Sequence, residues 1–306
     1  MKKNYALFFL LLFTLNSWSQ EIQIFNVQDF DLKGKVKSCL VITDYGRELY
    51  EFNEEGFLTK TITQYNETDQ DITYYKYDGG ELVEKRMESY KDNLLDEATS
   101  MANFYTMDTV PQRKIIEKII SYDKEFLEQQ EYTFDAENKL TKITTSNEGG
   151  VDETTLEYAT YKDEVTTSVL VNGVMEKSIR KSIIKQGKNT GEKILTKEYI
   201  DGEPNEAVEK VFNSDGKLAS EEVFIYDVAK KKFVSEKKLF YAYDLNGVLS
   251  KVTTKTSNSE FVKEYIFQFD SSPERNWIKQ IITPDNTYTT RRITYYPLEK
   301  IEETPN

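Results

Sequence analysis

The chain of 306 residues contains no histidine and a single cysteine. Without histidine there is no Ser-His-Asp triad and no imidazole zinc ligand, and the commonest general base is missing. One cysteine cannot form an internal disulfide or a thiolate metal cluster. Cys39 sits within Val36-Lys37-Ser38-Cys39-Leu40-Val41, a strand-like run, where a packing thiol is expected. The glycines are isolated turn residues, so neither a Walker loop nor a dinucleotide fingerprint is present. Basic excess is also lacking: 40 Lys and Arg stand against 53 Asp and Glu, a net charge of −13. That balance argues against nucleic acid and anionic membrane surfaces as partners, which need clustered cations. The plainer role of the acids is to keep a large sheet soluble.

Long apolar runs are missing except one. Ala6 to Leu15 is broken only by Thr14, follows Lys2 and Lys3, and precedes Ser17 and Ser19, small residues at −3 and −1 of a cleavage point before Gln20. This is the pattern of a secretory signal peptide over residues 1–19. The run is too short for a typical membrane-spanning helix. No cysteine follows it, which disfavours a lipoprotein. Cleavage would remove both lysines and take the net charge from −13 to −15. The mature chain, 20–306, is expected to be exported to the periplasm, the cell surface or the medium.

What the sequence does have is aromatic residues, 21 Tyr and 17 Phe, and a recurring stretch that places them. Tyr241-Ala242-Tyr243-Asp244-Leu245-Asn246-Gly247-Val248-Leu249 reads aromatic, x, aromatic, Asp, x, x, Gly, x, Leu. Versions start at Phe52-Asn53, Phe134-Asp135 and Phe212-Asn213, with a shorter copy at Tyr77-Asp78 and an altered one at Phe269-Asp270. Asp or Asn opens a turn by bonding backbone N–H groups ahead of it, and Gly or Asn tolerates the positive φ that closes it. Aromatics at i and i+2 share a strand face. Each copy is therefore a hairpin tip. From 52 to 269 the spacing holds about eight intervals of ~27 residues, a repeat-protein period.

This unit resembles the YD repeat of the rearrangement-hotspot (RHS) family. The chain also resembles exported bacterial proteins of unknown function with YD-like repeats, through Asp31-Leu32-Lys33-Gly34-Lys35-Val36-Lys37-Ser38 near the start. Near the end, Asn276-Trp277-Ile278-Lys279 and Arg291-Arg292-Ile293-Thr294-Tyr295-Tyr296 carry the likeness. Arg275 stands where the pattern calls for Gly. MORN-type and antitoxin-like repeat proteins share a similar aromatic-x-x-Gly-x-Leu look. None of these resemblances supplies catalytic residues.

The reading is an all-β chain: antiparallel hairpin repeats forming one repetitive domain over 20–306, with the tail 298–306 outside the ordered part. Nine two-strand units give about eighteen strands, too many for an open twisted sheet, so the sheet should roll or close barrel-like. An elongated single-layer β solenoid is the alternative. A lipid-spanning barrel is disfavoured because many strands carry Lys or Glu on both faces. Residues 92–106 break the pattern and read as a short helix capped by Asn93, with Leu95, Ala98 and Ala102 at helical spacing. Asn172-Gly173 marks a type I′ hairpin between Val165–Val171 and Val174–Ile184. Pro204 falls in an expected loop after Asp201-Gly202.

Chemistry is sparse. No cofactor and no metal site is expected. Asn66-Glu67-Thr68-Asp69-Gln70-Asp71 is rich in oxygen ligands but lacks the Gly and distal Glu of a calcium loop, so a solvated loop is expected. Trp277, Arg291 and Tyr295, at the atypical end, are the candidate ligand-binding residues. The favoured function is a non-enzymatic binding or scaffold protein of the cell envelope, with a glycan or an envelope protein as partner. Repetition spreads equivalent residues evenly, whereas an active site needs a unique cluster. The alternatives are a carboxylate-dependent glycoside hydrolase of envelope polysaccharide and, from the repeat resemblance alone, an immunity-like partner of a toxin.

Overall fold

The computed structural model describes residues 22–186 and 189–297. The expected signal peptide and the tail 298–306 lie outside the described residues. Among the described residues there are 21 strands and one short 3-10 helix, Val27–Phe30. The first strands are β1 (Val36–Thr43), β2 (Gly46–Phe52), β3 (Leu58–Gln64), β4 (Gln70–Asp78), β5 (Glu81–Lys91), β6 (Leu94–Leu95) and β7 (Met101–Asp108). Next come β8 (Lys114–Ser121), β9 (Phe126–Phe134), β10 (Leu140–Asn147), β11 (Gly150–Tyr161), β12 (Glu164–Val171), β13 (Val174–Gln186) and β14 (Asn189–Ile200). The last are β15 (Glu203–Phe212), β16 (Leu218–Asp227), β17 (Lys232–Tyr243), β18 (Leu249–Thr256), β19 (Glu260–Phe269), β20 (Trp277–Thr283) and β21 (Thr287–Tyr295).

These strands form one antiparallel sheet in which chain neighbours pair and β1 also pairs with β21. Twenty strands thus close into a barrel, as the strand count required, and the two-residue β6 stands beside the ring on β5.

By contacts the chain divides into two compact units. One contains the residues up to Ala102 with Phe269–Ile278 and the chain from Thr290; the other contains Asn103–Gln268 with Lys279–Thr289. In the first unit the core is Val27, Phe30, Leu32, Val36, Cys39, Val41, Phe52 and Leu58. The segment before β1 lays its apolar side chains on one face of β1–β3. It is anchored by Val27 N–H to Gly56 O (3.0 Å) and by Leu58 N–H to Phe25 O (2.9 Å). In the second unit Ile115, Tyr132, Phe134, Leu140, Ile143 and Leu156 are buried on β8–β11.

The hairpin tips share one construction. Asp244 accepts N–H bonds from Asn246 (2.9 Å) and Val248 (2.8 Å) on its carboxylate, and Gly247 N–H donates to Asp244 O (2.9 Å). Asn213 and Asp135 repeat the pattern with Asp215 and Lys217, and with Glu137 and Lys139. The closing residue is left-handed every time: Gly56 (φ 92°), Asn138 (61°), Gly216 (74°), Gly247 (76°) and Arg275 (51°). After four of these tips the ladder slips by one residue. Phe52 faces Leu58, Phe134 faces Leu140, Phe212 faces Leu218 and Tyr243 faces Leu249, with a bulge one step further. At three of these the bulged residue is Thr59, Thr141 or Ser250. Its hydroxyl donates at 3.1 Å to the carbonyl before the aromatic, so the bulge is built in rather than accidental.

A second recurring contact ties three of the tips to the next strand. Tyr77 OH donates to Leu58 O (2.7 Å), Tyr158 OH to Leu140 O (2.7 Å) and Tyr243 OH to Leu218 O (2.9 Å). The residue before each Leu lies on the same ring: Phe57 stacks on Tyr77, while Lys139 and Lys217 sit over Tyr158 and Tyr243.

Two expectations are corrected. No helix spans 92–106. Asp92 and Asn93 both take positive φ (53° and 62°) and make a tight turn into β6, and Met101–Asp108 is a full strand. The helical spacing of Leu95, Ala98 and Ala102 competes with alternation along 101–108, and alternation wins because it buries Ala102 and aims Asn103 and Tyr105 at Glu117. Pro204 lies in β15, opposite Tyr199 beside a ladder irregularity, where the missing N–H is tolerated.

Candidate functional site

Trp277 and Arg291 meet in the first unit, and Tyr295 lies in the same unit in a separate cluster. β21 carries Arg291 on the face of its partner Val41, and Val41 is buried in the core. Arg291 is only 5 % exposed. Its guanidinium donates to Phe30 O (3.1 Å) and Asp31 O (3.3 Å) and lies 3.5 Å from the Trp277 ring centroid. Trp277 Nε1 donates to the Asp31 carboxylate at 2.8 Å. One cation and one indole thus grip the short segment that leads into β1. Burial lowers the Arg291 pKa from its usual value, a pull resisted by Cys39, Asp31 and Tyr50 nearby. Burial also pushes the Cys39 thiol up to about 11, with Arg291 opposing.

Tyr295 belongs to a neighbouring polar knot made by the last repeat tip. Asp270 opens that tip, and the Tyr295 hydroxyl donates to its carboxylate. Asn276, 3 % exposed, donates to Tyr295 OH (2.8 Å) and Lys33 O (2.9 Å) and accepts from Lys33 N–H (2.8 Å). Burial works against the Asp270 carboxylate, but hydrogen bonds from Tyr295 and Ser272 hold it below the usual range. Tyr295 is itself raised, first by burial. Gly34 completes the contact: at φ +80° a Cβ there would fall 2.5 Å from Glu274 Cγ.

A second cluster was not singled out from the sequence. In the second unit Glu117, 7 % exposed, accepts from Asn103 Nδ2 (2.6 Å), Tyr105 OH (2.9 Å) and Tyr132 OH (2.8 Å). Tyr132 also reaches Gln130 Oε1 (2.7 Å), and Gln130 donates to Glu128 (2.7 Å). Burial, then Glu117, raises Tyr132 strongly. The available signal was the alternation that puts Glu117 between Ile115 and Ile119 on one strand face.

The expected loop over 66–71 ends where β4 begins at Gln70, and its oxygens are spent on bonds within the stretch and to the turn at Asp92. Asp69 accepts from Asn66 Nδ2 (2.8 Å), Thr68 Oγ1 (3.0 Å) and Asp92 N–H (2.9 Å). Among the described residues no group of three or more His, Cys, Asp or Glu side chains is placed to hold a metal ion. Among the same residues no helix is long and apolar enough to cross a membrane, which says nothing about strands.

No family model matches the chain. No curated protein matches it either. Several solved structures are similar at low identity. A porin-like protein from Bacteroides vulgatus is 9 % identical over 86 % of this chain and 99 % of its own, with a TM-score of 0.27. A protein of unknown function from Bacteroides fragilis is 11 % identical over 56 % and 92 %, with a TM-score of 0.19. A TcdB2-TccC3 structure is 7 % identical over 78 % of this chain but only 22 % of its own, with a TM-score of 0.18.

Proposed function

We propose that this chain is an exported, non-enzymatic binding or scaffold protein of the cell envelope, built from YD-like repeats. The observation that carries the reading is where the repeat residues go. The Asp and Asn of the tips are consumed in backbone bonds, and three tyrosines bond the carbonyl of the preceding tip. The repeated groups build a frame and leave no repeated catalytic set. Charge distribution supports a water-facing frame. Glu209 and Lys210 are adjacent on β15 and point to opposite faces. Glu209 pairs with Lys193 (3.4 Å) and Lys210 with Glu221 (3.7 Å), so both faces of that sheet carry ion pairs where a lipid-facing band must be apolar. Within this reading Trp277, Arg291 and Tyr295 remain the proposed ligand contacts. Arg291 would act by holding the half-buried Trp277 ring, because its two Nη atoms are committed to Asp31 O and Phe30 O and its Nε is buried without a partner.

A second reading is a carboxylate-dependent glycoside hydrolase, favoured by Glu117 and its link through Tyr132 and Gln130 to Glu128. One experiment separates the two: a glycan-array screen of residues 20–306, with released sugars followed by mass spectrometry. Binding without release, weakened by Trp277→Ala, is the expected result. Released product that disappears in Glu117→Gln would overturn the non-enzymatic reading.

A further inference from the structure

We propose that the first unit carries a docking surface for an acidic amphipathic helix, on the sheet face opposite its core. Residues paired directly across an antiparallel ladder share a face. Following the ladders from β21 to β5 gives one continuous row: Arg292, Leu40, Leu49, Ile62, Ile72 and Glu88. Four aliphatic residues thus stand side by side on four successive strands. Their strand neighbours Cys39 and Val41 point the other way and are 1 % and 3 % exposed in the core. Leu40, Leu49, Ile62 and Ile72 are all only half-buried.

Charge around this row is opposite to that of the chain. Arg47 lies one row towards one side, and Lys60 and Arg86 lie one row towards the other. With Arg292 that makes four cations; Glu51 and Glu88 are the acids among them. Arg86 pairs with Glu88 at 3.4 Å, and Arg86 and Lys60 bracket the Tyr74 ring at 5.0 and 5.6 Å. Arg47 and Arg292 are exposed and have no carboxylate at ion-pair distance among the described residues. In a chain of net charge −13, a cationic rim around an aliphatic row is a local inversion.

The occupant follows from chemistry and spacing. The strands here are paired on both sides, so their backbone groups are taken and a partner must be read by side chains. Sugars stack on open aromatic faces, and of the two rings on this face Tyr74 is held between cations while Tyr90 donates its hydroxyl to Glu88 (3.1 Å). Aliphatic side chains spaced about 4.8 Å apart along the row nearly match the ~5.4 Å rise of a helical turn. Six strands span roughly 24 Å, about sixteen helical residues. The partner is a helix with Leu or Ile at i, i+3/i+4 and i+7 and Glu or Asp on both flanks. One partly exposed aliphatic row is smaller than a standard interface, so the affinity is weak and salt-dependent.

The proposal rests on the binding-protein reading but not on a glycan ligand. A failed glycan screen leaves it standing, and its own failure leaves glycan binding open. The probe is a labelled sixteen-residue synthetic peptide with a leucine stripe and glutamate elsewhere, followed by fluorescence anisotropy with the 20–306 protein. A peptide with lysine in place of glutamate is the control. Binding is expected to weaken at least tenfold in Arg47→Glu/Arg292→Glu, tenfold in Ile62→Thr, and steeply with added salt. The lysine peptide should not bind. Absence of binding, equal binding of both peptides, or indifference to the arginine changes overturns the proposal. So does tight binding to phosphatidylglycerol vesicles, which would make the surface a lipid site. The salt and control-peptide readouts use the unmodified protein, so a variant that fails to fold does not rescue the idea.

Discussion

Arg291→Met is the most informative single change. The side chain keeps an unbranched apolar stem, shorter than that of arginine, and loses its charge and every donor. Two hydrogen bonds disappear, to Phe30 O and Asp31 O at 3.1 and 3.3 Å. Both are long, so each is taken at the low end for a charged donor, about 1.5 kcal/mol. Loss of the stack on Trp277, at 3.5 Å to the ring centroid, adds roughly 1 kcal/mol. Against this, removing a buried charge recovers part of its desolvation cost, about 1 kcal/mol for a guanidinium that relaxes into carbonyls. The net expectation is a loss of about 3 kcal/mol. Urea unfolding reports it directly, because Trp277 is the only tryptophan after residue 18 and sits in the affected contact. The lead-in segment covers Cys39, which is 1 % exposed, so alkylation of that thiol should accelerate in step with the lost stability. Arg291→Lys should fall between the two, since an ammonium cannot serve both carbonyls and the indole face in the same geometry. A loss under about 1 kcal/mol with unchanged Cys39 reactivity would refute the idea that this arginine holds the segment.

Three further outcomes follow from the repeat frame and the last tip. Tyr77→Phe, Tyr158→Phe and Tyr243→Phe each remove one hydroxyl bonded to a tip carbonyl and should each cost about 1 kcal/mol in urea titrations; widely different costs would deny that the contact is a repeated device. Arg275→Gly should stabilise by ~0.5–1 kcal/mol, because Arg275 occupies φ 51° where glycine meets no Cβ penalty, offset by its contact over Phe269. The Asp270 carboxyl is depressed in the folded state, so its contribution to stability is complete above the unfolded pKa near ~4 and fades as pH falls through the lower folded value. Asp270→Asn should flatten stability against pH in that acid window and leave the slope near neutrality unchanged; an equal slope in both proteins below pH ~4 would count against it.

The hairpin tips were legible because their chemistry is local. Asp or Asn at the start and Gly or Asn at the end are required by bonds that close within five residues, and these bonds are present at 135, 213 and 244. Even the anomaly at Arg275 was legible as a missing glycine, and its backbone is left-handed there. The bulge after three of the tips was just as local, written in Thr59, Thr141 and Ser250 directly after the repeat leucine, but the motif was read only as far as that leucine. The helix expected at 92–106 failed for a different reason. Three apolar residues at helical spacing carry little information when the competing alternation is decided by partners elsewhere in the chain, here Glu117 on the next strand. The clusters are non-local in the same sense. Arg291 lies 260 residues from Asp31, and nothing in either neighbourhood names the other. Composition brought Trp277, Arg291 and Tyr295 forward as unusual, but it could not say that an arginine there would face inward onto two backbone carbonyls. Ladder register decides where such residues end up: it buries Arg291 beside Val41, exposes Arg292 one residue on, and aligns Leu40, Leu49, Ile62 and Ile72 across four strands that show no shared motif.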